Sequence, residues 1–304
     1  MKKFLALMLT LSLLLSVCAF GGAEDYAVKV IAPSGAPALA LASLAVDTPE
    51  NFSFVAADTI GAAFAANEAD FIIAPLNAGA RLYKAGKSSY KMAAVVCWGN
   101  LYFASQKTDF QLSDLNGATL TLFGEGTVNA SIALYVLEKN GITPASVEYL
   151  AGAADTQKLL LSDENAMVMT AEPALTAAKM NNDKVSGITL NDLYKEATGF
   201  EGFTQAALFV RAETVEAHPE EVKVFLEKVA ASCAKCASDV NAVAEAAVAL
   251  EILPKVPVAV KAIPGCAIRY VAAKEAKEQV EVTANIDLKQ YGGEVPADDF
   301  YYGE

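Results

Sequence analysis

The chain has 304 residues, 36 of them Asp or Glu and 23 Lys or Arg, for a formal charge of −13. An acidic chain without a basic run is a poor partner for nucleic acid or an anionic membrane surface, and both function classes are excluded on that ground. The length exceeds what one small core needs, so two lobes are expected.

The chain opens with Met1-Lys2-Lys3, runs apolar from Phe4 to Val17 and turns small over Cys18-Ala19-Phe20-Gly21-Gly22-Ala23. This order of a positive start, an apolar run too short to span a bilayer and a small-residue cleavage zone predicts a signal peptide over residues 1–23. Its removal takes Lys2 and Lys3 away and leaves a charge of −15. Leu15-Ser16-Val17-Cys18 approaches a lipoprotein box, which makes Cys18 a lipidation candidate. Ordinary cleavage near Gly21 or Ala23 is the alternative. Either way the mature chain is expected outside the cytoplasm, at the cell surface or in a periplasm.

Beyond the leader, short apolar strands alternate with helical segments. Strands are expected at 28–32, 52–56, 70–74 and 90–97, with helices at 38–44, 59–67 and 77–85. The rhythm returns with strands at 119–123, 147–150 and 166–170 and helices at 127–140, 156–162 and 173–180. Two extended runs, Leu101–Ser105 and Phe203–Val210, interrupt it. Beyond Pro219 the chain reads as helical, with a restart at Ser238-Asp239. The expected fold class is α/β: two lobes of mixed or parallel sheets flanked by helices around a central cleft. One lobe is expected over 24–104 and 208–304, the other over 105–207.

In open α/β sheets ligands bind beyond the carboxyl ends of strands. Four strand-to-helix junctions there share exposed backbone N–H groups and a hydroxyl or amide side chain. They are Ser34-Gly35-Ala36-Pro37, Asp58-Thr59, Pro75-Leu76-Asn77 and Gly124-Glu125-Gly126-Thr127. Plain helix capping is the competing reading for each. Trp98, the only tryptophan, stands beside Gly99 and Asn100 at a strand end and is expected either to stack on a ligand or to pack in the core. Glu172 follows another strand and would face the cleft or cap its helix.

Catalytic signals are thin: there is no GxSxG elbow, Walker loop, HExxH or paired-glycine dinucleotide motif. The only histidine, His218, precedes Pro219-Glu220-Glu221 and reads as a helix-start residue. Cys233 and Cys236 fall on the apolar stripe of an amphipathic helix, which reads as core, with a disulfide from one of them to Cys266 as the alternative. No metal and no cofactor are expected.

The chain resembles solute-binding proteins of ABC importers with the type II periplasmic-binding-protein fold, in the branch of nitrate, alkanesulfonate, taurine and thiamine-pyrimidine binders. The likeness rests on "APSGAPALALASL", "ADFIIAPLNAGARLYKAG", "YKMAAVVCWGNLYFAS", "FGEGTVNASIALYVLEKNGI" and "AMVMTAEPALTAA", and on "HPEEVKVFLEKV" and "YGGEVPADDFYY" nearer the end. It implies a monomer that captures a small polar, carboxylate or aromatic solute and delivers it to a membrane permease. By the same resemblance, ligand contacts map to Ser34, Gly35, Ala36, Pro37, Thr59, Asn77, Trp98, Asn100, Gly124, Gly126, Thr127 and Glu172. Only three arginines (Arg81, Arg211 and Arg269), with Glu125 and Glu172 near the expected cleft, argue against a sulfonate or nitrate. An enzyme on the same fold, like the menaquinone-pathway dehydratases or the pyrimidine synthases, is the second function class.

Overall fold

The structure, a computed structural model, describes residues 26–303. The expected leader and Cys18 lie outside them. In chain order the strands are β1 (Val30–Pro33), β2 (Phe52–Val55), β3 (Phe71–Pro75), β4 (Tyr90–Cys97), β5 (Leu101–Ser105) and β6 (Thr119–Phe123). They continue with β7 (Ser146–Leu150), β8 (Met167–Ala171), β9 (Ser186–Thr189), β10 (Ala206–Arg211) and β11 (Ile268–Ala272). The helices are α1 (Leu39–Ala45), α2 (Ile60–Ala66), α3 (Leu76–Lys84), α4 (Val128–Lys139), α5 (Ala153–Ser162) and α6 (Ala174–Asn181). After them come α7 (Leu190–Thr198), α8 (Ala212–Ala217), α9 (Pro219–Ser238), α10 (Val240–Ala249), α11 (Val256–Ala262) and α12 (Ala273–Ile286).

The strands form two sheets, ordered β11-β4-β10-β3-β1-β2 and β7-β6-β8-β5-β9. Each is mixed. In the first, β1 runs parallel to β2 and β3, while β10 runs antiparallel to β3 and β4. In the second, β6 runs parallel to β7 and β8, while β5 runs antiparallel to β8 and β9. The two-lobed α/β class expected from the sequence is the one observed. The chain passes between sheets twice, at residues 98–100 and 199–205. β5 was expected at the end of the first lobe, but its backbone is bonded to β8 and β9 of the second sheet. The extended stretch after Trp98 is thus a strand, and the crossing itself is only three residues long.

Burial follows the pleat. In β3 and β10, Phe71, Ile73, Leu208 and Val210 face α1, α9 and α10, whereas Ile72, Ala74, Ala207 and Phe209 face α2, α3 and α12. Covering both faces explains why β10 reads as the unbroken apolar run "AALFV". Each fully buried Leu or Phe there contributes about 2 kcal/mol. Cys233 and Cys236 sit on the inward stripe of α9, and with Cys97 and Cys266 they are buried, unpaired thiols. The core reading of the pair holds, and the alternative bridge to Cys266 is not formed.

Asp239 restarts the helical run as expected: its carboxylate accepts from the Ala242 N–H at 3.3 Å, capping α10. His218 precedes α9 and stacks on Tyr26, ring centroids 3.6 Å apart, consistent with a helix-start role. Among the described residues no helix is long and apolar enough to cross a membrane.

Candidate functional site

The carboxyl ends of β1 and β3 in one lobe face the start of α4 in the other across a cavity of about 440 Å³. Each part of its wall has a local cause. Beyond β1, Gly35 adopts φ 101°, ψ −154°, a conformation that favours glycine, and the chain turns through a single 3₁₀ turn into α1. Pro33, Ser34 and Pro37 line the cavity at this turn. Pro75 closes β3, and Asn77, Ala78 and Arg81 follow on α3. Residues three and four apart lie on one helix face, which brings these three side chains to the same wall. Opposite them stand Gly126, Thr127, Val128 and Asn129 at the start of α4. Asn100 and Gln205 come from the two crossings, and Gln290 from the C-terminal segment.

Three side-chain bonds tie the lobes together around this space. Gln205 Nε2 donates to Asn129 Oδ1 at 3.3 Å, Gln290 Nε2 to the Gly126 carbonyl at 2.5 Å, and the Ser131 hydroxyl to Asp287 Oδ2 at 2.6 Å.

Electrostatically the cavity is simple. Arg81 is its one charged lining residue, and no Asp or Glu lines it among the described residues. Among the described residues no hydrogen bond or ion pair holds the exposed Arg81 guanidinium. By contrast Arg211 is bonded to Asp70, and Arg269 donates to the Glu201 carbonyl. The acids expected near the cleft are elsewhere: Glu125 is exposed outside the lining, and Glu172 is committed to α6.

The sequence candidates therefore divide. Ser34, Pro37, Asn77, Asn100, Gly126 and Thr127 share the cavity wall. Gly35 and Ala36 shape the turn behind it, with Ala36 buried. Thr59 lies outside, its hydroxyl bonded to the Ala56 carbonyl at 2.7 Å, and Gly124 sits one turn behind Thr127. Thr127 is the N-cap of α4, though its oxygen is 3.5 Å from the Ala130 N–H while its hydroxyl donates to the Gly124 carbonyl at 2.7 Å. It lines the cavity and supports its own loop at once.

Trp98 is a correction. It is 1 % exposed, its indole N–H donates to the Arg269 carbonyl at 2.9 Å, and the Arg269 guanidinium lies 4.4 Å from its ring centre. It borders a different depression, with Lys195, Glu201 and Arg269, and riveting the first crossing to β11 leaves it no face for a ligand in the cleft.

Glu172 is a second one. Its carboxylate accepts the Thr176 N–H at 3.1 Å and the Thr176 hydroxyl at 2.9 Å, so it caps α6 from a buried position. Burial raises its pKa, against the lowering effect of the Thr176 bonds. Between the ordinary glutamate value and this raised one the folded chain binds more protons than the unfolded chain, so stability falls as pH rises through that window. Glu172→Gln removes the titration. The stability difference between wild type and variant, from urea unfolding at several pH values, should fall across that window and be flat above it. A difference that rises with pH would show that the Thr176 bonds, not burial, govern the carboxyl.

Residues missed from the sequence are Arg81, Asn129, Gln205 and Gln290. The Asn77–Arg81 spacing of four was a usable signal for the first. The others carry none, since Gln205 and Asn129 are 76 positions apart and Gln290 and Gly126 are 164 apart.

Residues 99–240 match the NMT1/THI5-like family. No curated protein matches the sequence. Many solved structures share the fold. An ABC transporter from Parabacteroides distasonis is 24% identical, with 92% of this chain and 100% of that one covered at a TM-score of 0.78. The periplasmic aliphatic sulphonate binding protein SsuA from Escherichia coli is 16% identical, covering 92% of this chain and 93% of that one at a TM-score of 0.69. A putative nitrate transport protein from Thermoplasma volcanium is 12% identical, covering 89% and 97%, at a TM-score of 0.56. The resemblance to this branch stated from the sequence is borne out by these matches.

Proposed function

We propose that the chain is the solute-binding component of an ABC importer, holding a small anionic solute between its two lobes and presenting it to a membrane permease. The observation that carries this reading is Arg81: among the described residues it is the one cation of an interlobe cavity whose remaining lining is neutral, and it has no ion-pair partner there. The amides of Asn77 and Asn129 and the Ser34 hydroxyl supply donors beside it, and the prolines and alanines supply apolar wall. The structural relatives, among them a sulphonate binding protein and a putative nitrate transport protein, support an anion. The same reading takes the protein to be extracytoplasmic and monomeric, either freely exported or anchored through Cys18. Glu172, a buried carboxyl of raised pKa outside the cavity lining, is occupied by Thr176, and no other observation favours an enzyme.

Thermal-shift titration with alkanesulfonates, short carboxylates and nitrate tests it. A ligand present at 100 times its Kd stabilises the folded state by about 2.7 kcal/mol, which is readily seen. Arg81→Gln should weaken the best anion by about ten- to a hundredfold, the worth of a hydrogen bond to a charged group. A wild-type protein that no anion stabilises, or an Arg81→Gln variant of unchanged affinity, would refute the reading.

A further inference from the structure

We infer that residues 287–292, the segment after α12, form a strap that holds the two lobes shut over the cavity. The strap is made of the chain's own groups and acts whichever solute the lobes hold.

By its anchoring the segment belongs to the first lobe. α12 packs on β4 and β11, and the 3₁₀ turn Leu288–Tyr291 that follows packs on α3. Tyr291 is buried, and Lys84 of α3 donates to the Gly292 carbonyl at 2.6 Å. The polar side chains of the segment nevertheless reach the second lobe. The Ser131 hydroxyl of α4 donates to Asp287 Oδ2 at 2.6 Å. Gln290 Nε2 donates to the carbonyl of Gly126, just ahead of α4, at 2.5 Å. Gln290 and Gly126 both line the cavity, so this second bond closes part of its wall.

Exposure decides which interlobe ties yield. The Tyr194 hydroxyl of α7 lies 3.0 Å from the Thr283 hydroxyl of α12, whose oxygen also accepts the Thr204 N–H of the second crossing at 3.2 Å. All three residues are buried. Parting them would strand polar groups away from water, so this point stays together and serves with the crossings as the pivot. Ser131, Asp287 and Gln290 are partly accessible, and Gly126 is exposed. Water replaces their bonds at a net loss of about fivefold in equilibrium for each, and about thirtyfold for the two. Opening at the strap about a pivot at Thr283 is therefore the motion that costs least. A solute touching both lobes binds the shut form, so the strap raises affinity in proportion to the shut fraction.

Small-angle X-ray scattering of the protein without added solute tests the strap. Wild type should give the radius of gyration and profile of the shut arrangement described above. The double variant Ser131→Ala, Gln290→Ala should give a larger radius, with Gln290→Ala alone in between and circular dichroism showing both variants folded. No solute takes part, so the outcome stands apart from that of the anion titration. A wild-type profile that fits only a wider arrangement of the lobes, or a folded double variant as compact as wild type, would overturn the inference. Should the double variant not fold, Gln290→Ala decides alone: an unchanged radius overturns the strap, and a larger one supports it.

Discussion

Asp70→Ala should lower the unfolding free energy by about 4 kcal/mol, because it strips the charge partner from a largely buried arginine. Asp70 is 2 % exposed and sits just before β3. Its Oδ1 accepts from the Tyr26 hydroxyl at 2.6 Å, the Thr214 hydroxyl at 2.8 Å and Arg211 Nη2 at 3.0 Å, while Oδ2 accepts from the Lys29 N–H at 2.8 Å. One carboxylate thus joins the segment before β1, the start of β3, the end of β10 and α8. Arg211 is further fixed by the Asn67 carbonyl at 2.7 Å, so it cannot swing away to solvent without a second loss.

Removing the carboxylate leaves a guanidinium and three other donors short of an acceptor in one place. Melting should fall by roughly 8 °C or more for a domain of this size. A loss under about 1 kcal/mol, the range of an exposed pair, would show that water replaces the carboxylate and that the junction is not stabilised by it. The cavity lies beyond the other ends of β1 and β3, so solute affinity measured well below the melting temperature should be unchanged.

Much of the fold was legible because its strands follow simple rules. β3 and β10 are covered on both faces and read as apolar runs, and β4 ends cleanly at Cys97. What escaped has weaker signals. β9 and β11 are half-buried, and β11 carries the exposed Arg269 as its second residue, so neither alternation nor an apolar run marks it. α7 went with β9, although Thr189 caps it through the Asn191 N–H at 3.2 Å.

The site was legible in part for a related reason. Junction residues such as Ser34, Asn77 and Thr127 are placed by their own strand ends, and local sequence shows those. Whether a residue in a crossing faces the cleft or its back is set by the other crossing, far away in the chain. Asn100 and Trp98 are two positions apart and face opposite sides, one bordering the cavity and the other riveted behind it to Arg269. Arginine was counted in the sequence but not placed: three residues looked too few, yet among the described residues one of them, Arg81, is the only charge in the cavity lining.

Gly202→Ala tests how the two crossings position that cavity, and should cost about 3 kcal/mol from a left-handed backbone and an overpacked contact. Gly202 has φ 85°, and a Cβ there would stand 2.2 Å from the Trp98 carbonyl oxygen. That oxygen belongs to backbone. It cannot rotate aside as a side chain can, because the Trp98 N–H is bonded to the Ala267 carbonyl and its indole to Arg269. The crossings would have to part by about 1 Å to restore ordinary contact, which begins near 3.4 Å. Such a shift moves Asn100 and Gln205, the lining residues carried by the crossings. Solute affinity should therefore fall more than the lost stability accounts for, and the emission of Trp98, the only tryptophan, should change. Gly141→Ala is the matched control. Gly141 has φ 70° with open space around the Cβ position, in the turn between α4 and β7, so it carries the backbone strain without the clash. It should cost about 1 kcal/mol and leave affinity and emission alone. If both variants lose stability while binding and fluorescence stay at wild-type values, the crossings hold the lobes together without setting the geometry of the cavity between them.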